Sequence, residues 1–449
     1  FHLEILEAET FEEACKAFLR PFDLASPPLL RAAVWNGREE GWHLLVDLHH
    51  IIGDGASTPL LWQRMEHMLR EGHGKPVPLS YLDYAWHLSQ EGAEPNPEDR
   101  QNWQESLSPL PEPLRLPGDF PRPSHFDFRG DVYQHCFPEE LSRRCRAFCE
   151  EKGITPFVLF LAAYGILLAE VSGNRDLLVG TPVSDRRRSQ LTQICGPFIR
   201  TVPARLRPEK DLEIPAYLRQ VQEEITRILD HPDCTLEEML DMLELPRTTD
   251  GNPLYQTGFS LRPFEAEQLT WNGALADYRP VKTGTAKMDL NVEAAWEKGH
   301  FQLTLEYASS LFQEDTIALY ARSLQQILQG LIRGQAKTLG SLPLLAPADQ
   351  LRLIDTPRHT FFPYRNLPIH QLIAGRAALA PESPAVIFHG QATSLGQLWE
   401  QAGGIAYALV QAGVLAGEPV GILCRRSPSL LAAMAGVLRM GGVYVPLLP

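Results

Sequence analysis

The chain has 449 residues, of which 44% are hydrophobic and 21% charged, with a formal net charge of −14. That composition is ordinary for a globular protein, the length is too great for one core and implies two or three lobes, and the acidic balance argues against a broad basic face for nucleic acid. The seven cysteines (Cys15, Cys136, Cys145, Cys149, Cys195, Cys234 and Cys424) are scattered without a CxxC pair; they read as reduced thiols of a cytoplasmic protein, not as a disulfide frame or a zinc site.

The first 105 residues read as mixed α/β sequence. Glu12 to Leu19 predicts a short helix broken at Pro21. Trp42, Leu44, Val46 and Leu48 alternate with His43, Asp47 and His49, with Leu45 out of phase, which is strand period. Gly53, Asp54 and Gly55 then force a turn, and the two glycines permit backbone angles that other residues avoid. Ser57 is placed to cap the next helix, with Pro59 in its first turn. Leu61, Met65, Met68 and Leu69 form the packing face of that helix, and Gly72 ends it.

Pro109 to Pro123 reads as a proline-rich crossing between lobes. Helices are expected at about 139–152, 155–172, 212–230, 235–243 and 314–333, the last with Ile317, Tyr320, Leu324, Ile327, Leu328 and Leu331 on one stripe. Strands are expected at Leu177–Gly180, Tyr255–Leu261, Met288–Ala294 and Phe301–Tyr307. The most apolar run, Thr155–Val171, is barely long enough for a bilayer and is followed at once by polar sequence, so it reads as a buried core helix and no membrane is expected. Residues 334–367, punctuated by Gly334, Gly340, Pro343, Pro347, Pro357 and Pro363, read as an interdomain linker. A new α/β pattern begins after it, with helices at about 397–412 and 428–440 and strands at Pro419–Cys424 and 442–446. Phe1 is not a natural start and Pro449 ends inside a strand-like run, so the chain reads as a piece of something larger.

The strongest local feature is His49–His50–Ile51–Ile52–Gly53–Asp54–Gly55. A histidine where a strand meets a glycine-rich turn can project its imidazole into a cleft while the strand holds its backbone, and imidazole exchanges protons near neutral pH. Asp54, across the turn, is placed to orient a ring or to pair with an arginine and hold the loop closed. Adjacent strand residues point to opposite faces, so the two histidines are poorly placed to share a metal ion. Taken alone, they would serve as a satisfied pair at a strand end.

The surrounding motifs decide between these readings. His49 to Gly55 matches the HHxxxDG motif, and the sequence here resembles condensation domains of nonribosomal peptide synthetases, within the chloramphenicol acetyltransferase-like superfamily. Pro21–Phe22–Asp23–Leu24 and Pro28–Leu29–Leu30–Arg31 resemble the segment that leads to the motif. Tyr81–Leu82–Asp83–Tyr84–Ala85–Trp86 is similar to YxDYAxW, Val179–Gly180–Thr181–Pro182–Val183–Ser184–Asp185–Arg186 to the GTPxxxR segment, and Asn252–Pro253–Leu254–Tyr255–Gln256 to NPLFQ. Residues 438–449, with Val420–Gly421–Ile422 and Ser427–Pro428 before them, resemble the opening of an adenylation domain. Three departures stand out. The resemblance places a condensation domain's first ninety or so residues before Phe1, Arg200 stands where the family commonly has Asn, and Ala56 where it usually has Trp.

The resemblance implies an α/β fold of two chloramphenicol acetyltransferase-like lobes in a V-shaped pseudo-dimer, plus the start of an α/β adenylation domain. Its parts would be an N-lobe at 1–105 lacking its beginning, a C-lobe at 106–333, a linker at 334–367 and an adenylation fragment at 368–449. It implies formation of an amide between a carrier-bound donor thioester and a carrier-bound acceptor amine. His50, with His49 and Gly55, would be catalytic, and Asp54 and Arg186 structural partners at the active site. No cofactor is expected on the chain itself, because substrates arrive on phosphopantetheine arms. The expected partners are the upstream donor and downstream acceptor peptidyl carrier domains and the chain's own adenylation domain. Tyr81, Tyr84 and Trp86 are expected as lobe core, Met65 and Met68 as helix packing, and the run Arg186–Arg188 as a solvated loop apart from Arg186. The alternatives are an epimerisation domain of the same fold and a non-catalytic carrier-docking scaffold.

Overall fold

The computed structural model describes residues 2–37, 41–74, 76–77, 79–91, 96–186, 188–246, 251–262, 270–271, 274–275, 280–358 and 366–447. The chain divides into two units, residues 1–354 and 355–449.

The first unit opens with strand β1 (Leu3–Leu6), helix α1 (Phe11–Phe18), β2 (Leu30–Gly37) and β3 (Gly41–Leu48). Thr10 starts α1 with a capping box: its hydroxyl accepts the Glu13 amide while the Glu13 carboxylate reaches back to the Thr10 amide. β2 pairs in parallel with β1 and antiparallel with β3. Ala14, Cys15 and Phe18 of α1 bury against Ala33, Trp35 and Leu45. This reverses the expected polarity of β3. Leu45, out of phase in the sequence, is the buried residue, whereas Trp42 and Val46 are exposed, because α1 covers the face that carries Leu45.

Three helices come next: α2 (Ser57–Glu71), α3 (Tyr81–Glu91) and α4 (Pro97–Leu107). Two expectations for α2 are corrected. Ser57 is its first helical residue and not its cap; Ala56 holds the cap position and has no side-chain acceptor to cap with, and the Ser57 amide donates to Asp54 instead. Met68 and Leu69 are exposed, so the packing face does not extend to its last turn. Gly72 ends the helix in the left-handed region at φ 73°, where glycine has no steric cost.

The large lobe is built from β4 (Gly130–Cys136), α5 (Glu139–Lys152), α6 (Pro156–Ser172), β5 (Leu177–Ser184), β6 (Ile199–Leu206), α7 (Ile214–Asp230), α8 (Leu236–Met242), β7 (Thr257–Leu261), a short pair β8 (Thr270–Trp271) and β9 (Ala274–Leu275), β10 (Leu290–Glu297), β11 (His300–Ala308) and α9 (Glu314–Arg333). Its sheet has the order β4-β11-β10-β7-β5-β6, with β7 parallel to both neighbours and the other pairs antiparallel. α6 is the keel of this lobe. Thr155 caps it, Pro156 sits in its first turn, and every residue from Val158 to Ala169 is buried. No single helix among the described residues is long and apolar enough to cross a membrane. All seven cysteines are free thiols, and burial pushes those of Cys145 and Cys149 up to about 12.

Part of the segment read as a linker is structured. Leu339 and Leu342 are buried in the core of the large lobe, and helix α10 (Pro347–Arg358) is tied to α9 by two hydrogen bonds from Arg322 to Asp349, at 2.8 and 2.9 Å. Residues 359–365 lie outside the described set. The second unit contains α11 (Ile369–Leu379), a hairpin of β12 (Pro384–Phe388) and β13 (Gln391–Ser394), α12 (Leu395–Gln411), and a parallel pair β14 (Pro419–Leu423) and β15 (Val443–Leu447) joined through α13 (Pro428–Arg439).

Two helical glycines give opposite predictions. A Cβ at Gly165 of α6 would stand 2.6 Å from the Tyr217 hydroxyl and 2.8 Å from Leu206 Cδ1, whereas one at Gly404 of α12 meets nothing within 4 Å. Alanine gains about 1 kcal/mol of helix propensity over glycine, and overpacking costs roughly 1–3 kcal/mol. Gly165→Ala is therefore expected to lower the thermal midpoint of the first unit and Gly404→Ala to raise that of the second, as differential scanning calorimetry would read directly.

Candidate active site

The turn after β3 is built by its own side chains. The His49 amide donates to the Leu29 carbonyl at 3.0 Å. Its ring Nδ1 accepts the Ile51 amide at 3.1 Å, which starts a single 3₁₀ turn over His50–Ile52. His49 is half-buried and committed to the backbone; His50 is exposed, and its ring makes no hydrogen bond with any described residue. The two imidazoles thus have different surroundings although they are adjacent.

The expected reason for the glycines needs correction. Gly53 has φ −170°, an extended angle open to any residue, and Gly55 is not left-handed either. What Gly53 supplies is space: a Cβ there would lie 2.8 Å from Leu48 Cδ2 and 3.2 Å from Ser57 Cβ. Around Gly55 the opposite holds, since an added Cβ meets nothing within 4 Å. One glycine lets the turn close on α2, and the other faces open space.

Asp54, between them, is buried with no side-chain exposure. Its Oδ1 accepts from the Ser57 amide at 3.0 Å, the Ser57 hydroxyl at 2.8 Å and Arg186 Nη2 at 2.8 Å, and its Oδ2 accepts the Phe198 amide at 3.1 Å. A carboxylate offers about four lone-pair sites; here three donors converge on Oδ1 and one reaches Oδ2. Arg186, just beyond β5, lies with its guanidinium carbon 4.2 Å from the Phe198 ring centroid. Tyr81 and Tyr84 of α3 support the same ring from centroid distances of 5.2 and 4.9 Å. The Gly196 amide donates to the Ser57 hydroxyl at 3.0 Å, and a Cβ at Gly196 would stand 2.2 Å from Tyr81 Cδ2. The start of α2, the face of α3, the end of β5 and the segment Gly196–Phe198 therefore meet around one carboxylate.

Ser57 was read from the sequence only as a helix cap, and Gly196 and Phe198 were not read as site residues. The spacing Asp-x-x-Ser was a usable signal for the first, since such a pair closes a local side-chain-to-backbone ring. Trp86 is corrected: it is 67% exposed. It stands about 200° round α3 from Tyr84, away from the face that carries Tyr81 and Tyr84. Arg188 is exposed, and Arg187 lies outside the described residues. Arg200 keeps its own partners, with Nε 3.2 Å from Asp185 and Nη1 donating to the Cys234 carbonyl at 2.7 Å. With Thr201, Thr235, Leu236, Glu237 and Tyr255 it lines an open cavity of about 350 Å³.

Comparison with known proteins fits this geometry. The condensation domain family matches residues 1–354, and the AMP-binding enzyme family matches residues 373–449. Tyrocidine synthase 3 of Brevibacillus parabrevis is 32% identical over 99% of this chain and 7% of its own length. Bacitracin synthase 3 of Bacillus licheniformis is 29% identical over 99% of the chain and 7% of its length, so the chain spans less than a tenth of either relative. Among solved structures, a four-domain nonribosomal peptide synthetase bound to AMP and glycine superposes with TM-score 0.79 at 21% identity, covering all of this chain and 36% of that one. The first condensation domain of the calcium-dependent antibiotic synthetase superposes with TM-score 0.64 at 20% identity, covering 77% of this chain and 78% of that one. The chain belongs to the condensation domain family of nonribosomal peptide synthetases over residues 1–354, and from residue 373 it is the start of an AMP-binding domain.

Proposed function

We propose that this unit forms an amide bond between two carrier-bound substrates, with His50 as the reacting imidazole. The observation that carries the reading is the asymmetry of the turn: Asp54 is clamped beneath it by four donors, while His50 and the space beside Gly55 are open. The acceptor amine attacks the donor carbonyl carbon; a C–N bond forms and the C–S bond breaks. His50 takes the proton released by the amine and returns it to the departing thiolate of the donor arm. The substrates come on phosphopantetheine arms of an upstream and a downstream carrier domain, so no cofactor on this chain takes part. Free thiols at all seven cysteines suit the reducing cytoplasm.

Condensation is favoured over epimerisation by the domain that comes next in the chain. Only residues 355–372 separate the two family matches, too few for a carrier domain to intervene. A bond-forming domain directly before the domain that selects the acceptor is a workable order. With a donor carrier bearing an α-deuterated aminoacyl group and a loaded acceptor carrier, the intact polypeptide is expected to give a carrier-bound amide with the deuterium retained. Deuterium washout without amide would assign epimerisation, and neither product would assign a docking scaffold.

A positioned base contributes about 10²–10⁴-fold to rate. His50→Ala is accordingly expected to lower single-turnover amide formation within that range while leaving the thermal midpoint unchanged. An unchanged rate, or a larger loss from His49→Ala, would move the assignment.

For Asp54 and Arg186 we propose a structural role. Removing one partner of a buried ion pair leaves an uncompensated charge, at about 3–5 kcal/mol. Asp54→Ala is expected to destabilise by that order in chemical denaturation, with Arg186→Ala similar and the double variant less than additive.

A further inference from the structure

The clamp beneath Asp54 does not account for how His49 is held, and a second group of side chains bears on it. Phe22 lies in an exposed loop, yet its ring stands edge-on to the His49 ring, with centroids 5.8 Å apart and planes at 84°. The Arg31 guanidinium carbon lies 3.7 Å from the centroid of the Phe22 ring. Arg31 faces Asp47 directly across the β2–β3 ladder, with Nε 3.0 Å from Oδ2. It also donates from Nη2 to the Arg20 carbonyl, next to the loop that carries Phe22. Asp47, Arg31, Phe22 and His49 therefore form one stack from strand to loop to motif. None of the four belongs to the core of the small sheet, which consists of Ala14, Cys15, Phe18, Ala33, Trp35 and Leu45 with Leu6, Ala8 and Phe11 packed against it.

The stack has a specific consequence for the ring it reaches. An imidazole turned by half about its Cβ–Cγ bond exchanges Nδ1 for a carbon. His49 would then lose the acceptor for the Ile51 amide, and with it the bond that starts the 3₁₀ turn on which His50 sits. A half turn leaves the plane and outline of the ring nearly unchanged, so the contact acts on the turning itself: with the Phe22 ring packed at right angles to it, the His49 ring turns only if Phe22 gives way. The planar cation across the Phe22 face, anchored at Asp47 and the Arg20 carbonyl, keeps Phe22 in place.

We propose that Arg31 and Phe22 are positioning residues for the reaction: they hold the His49 ring in the orientation that fixes the His50 turn. The proposal rests on the reading of His50 as the reacting group. It predicts that the flatness and the fork of these side chains matter more than their volume or charge. Phe22→Leu and Arg31→Lys each remove one of these features, whereas Phe22→Tyr retains the ring.

The test uses the full-length polypeptide with loaded donor and acceptor carriers. Hydrogen exchange of the peptide that includes His49 to Ile52 is read alongside kcat and the KM for the loaded acceptor carrier. In Phe22→Leu and Arg31→Lys the Ile51 amide is expected to exchange at least about tenfold faster. The kcat is expected to fall on the order of 10- to 100-fold, the range that a displacement near 1 Å produces, with KM within twofold of wild type. Phe22→Tyr is expected to restore both readouts. Unchanged exchange and kcat in Phe22→Leu would overturn the proposal, as would equal losses in Phe22→Leu and Phe22→Tyr accompanied by a lower melting temperature. Exchange does not depend on product. A wild type that makes no amide but whose variants still exchange faster would overturn the proposed reaction and leave the hold on His49 standing.

Discussion

A carboxylate buried without exposure keeps its charge only if its lone pairs are met, and the geometry around Asp54 follows from that constraint. Its donors come from three places: Ser57 in its own turn, Arg186 after β5, and the Phe198 amide before β6, the last two 132 and 144 residues away in sequence. Desolvating two charges costs several kcal/mol per ion before their attraction repays it, and well-packed apolar residues of the same volume often do as well. Net stability is therefore a weak reason for such a pair. Direction is a better one. Four hydrogen bonds define where the turn lies relative to the large lobe, which apolar contact alone would leave free to slide.

The far side of the clamp must itself be rigid for this to work, and the large lobe provides that. β5 runs between β6 and β7 in the six-stranded sheet, and the buried helix α6 lies against that sheet. Thr181 of β5 donates to the Phe259 carbonyl at 3.1 Å, and Phe259 packs against Phe157 and Tyr164 of α6. Arg186 leaves this framework only two residues after β5 ends. Phe198, gripped by Tyr81 and Tyr84, then receives both the guanidinium on its face and the carboxylate at its amide. The small-lobe turn is thus referenced to a densely packed body, and the unclamped side is the one that presents His50.

The sequence disclosed the parts of this arrangement that depend on local chemistry. Helices such as Glu139–Lys152 and Glu314–Arg333 were legible because their apolar period ends at a closing glycine, Gly153 and Gly334. The motif turn was legible from His49, His50, Asp54 and two glycines, and Arg186 from its motif. What stayed hidden depends on tertiary neighbours. Which face of β3 is buried is decided by α1 crossing on the Leu45 side, and alternation in β3 alone pointed to the other face. Ser57 looked like a helix cap because serine before a helix usually is one; it lies instead inside the first turn, with its hydroxyl held between the Asp54 carboxylate and the Gly196 amide. Phe198 and Gly196 carried no local mark, since their roles exist only once α3 packs against them.

The pair of adjacent histidines shows how the same constraint shapes chemistry. A neutral imidazole has one acceptor nitrogen. In His49 that acceptor is Nδ1, already bonded to the Ile51 amide, so the ring could take a proton there only by releasing the turn it starts. His50 has no such obligation, and its exposed ring can accept a proton without disturbing any backbone bond. Proton transfer in a reaction that must repeat favours a group whose change of charge leaves its own support intact. On that ground the proposed role of base falls to the second histidine, and that of its anchor to the first.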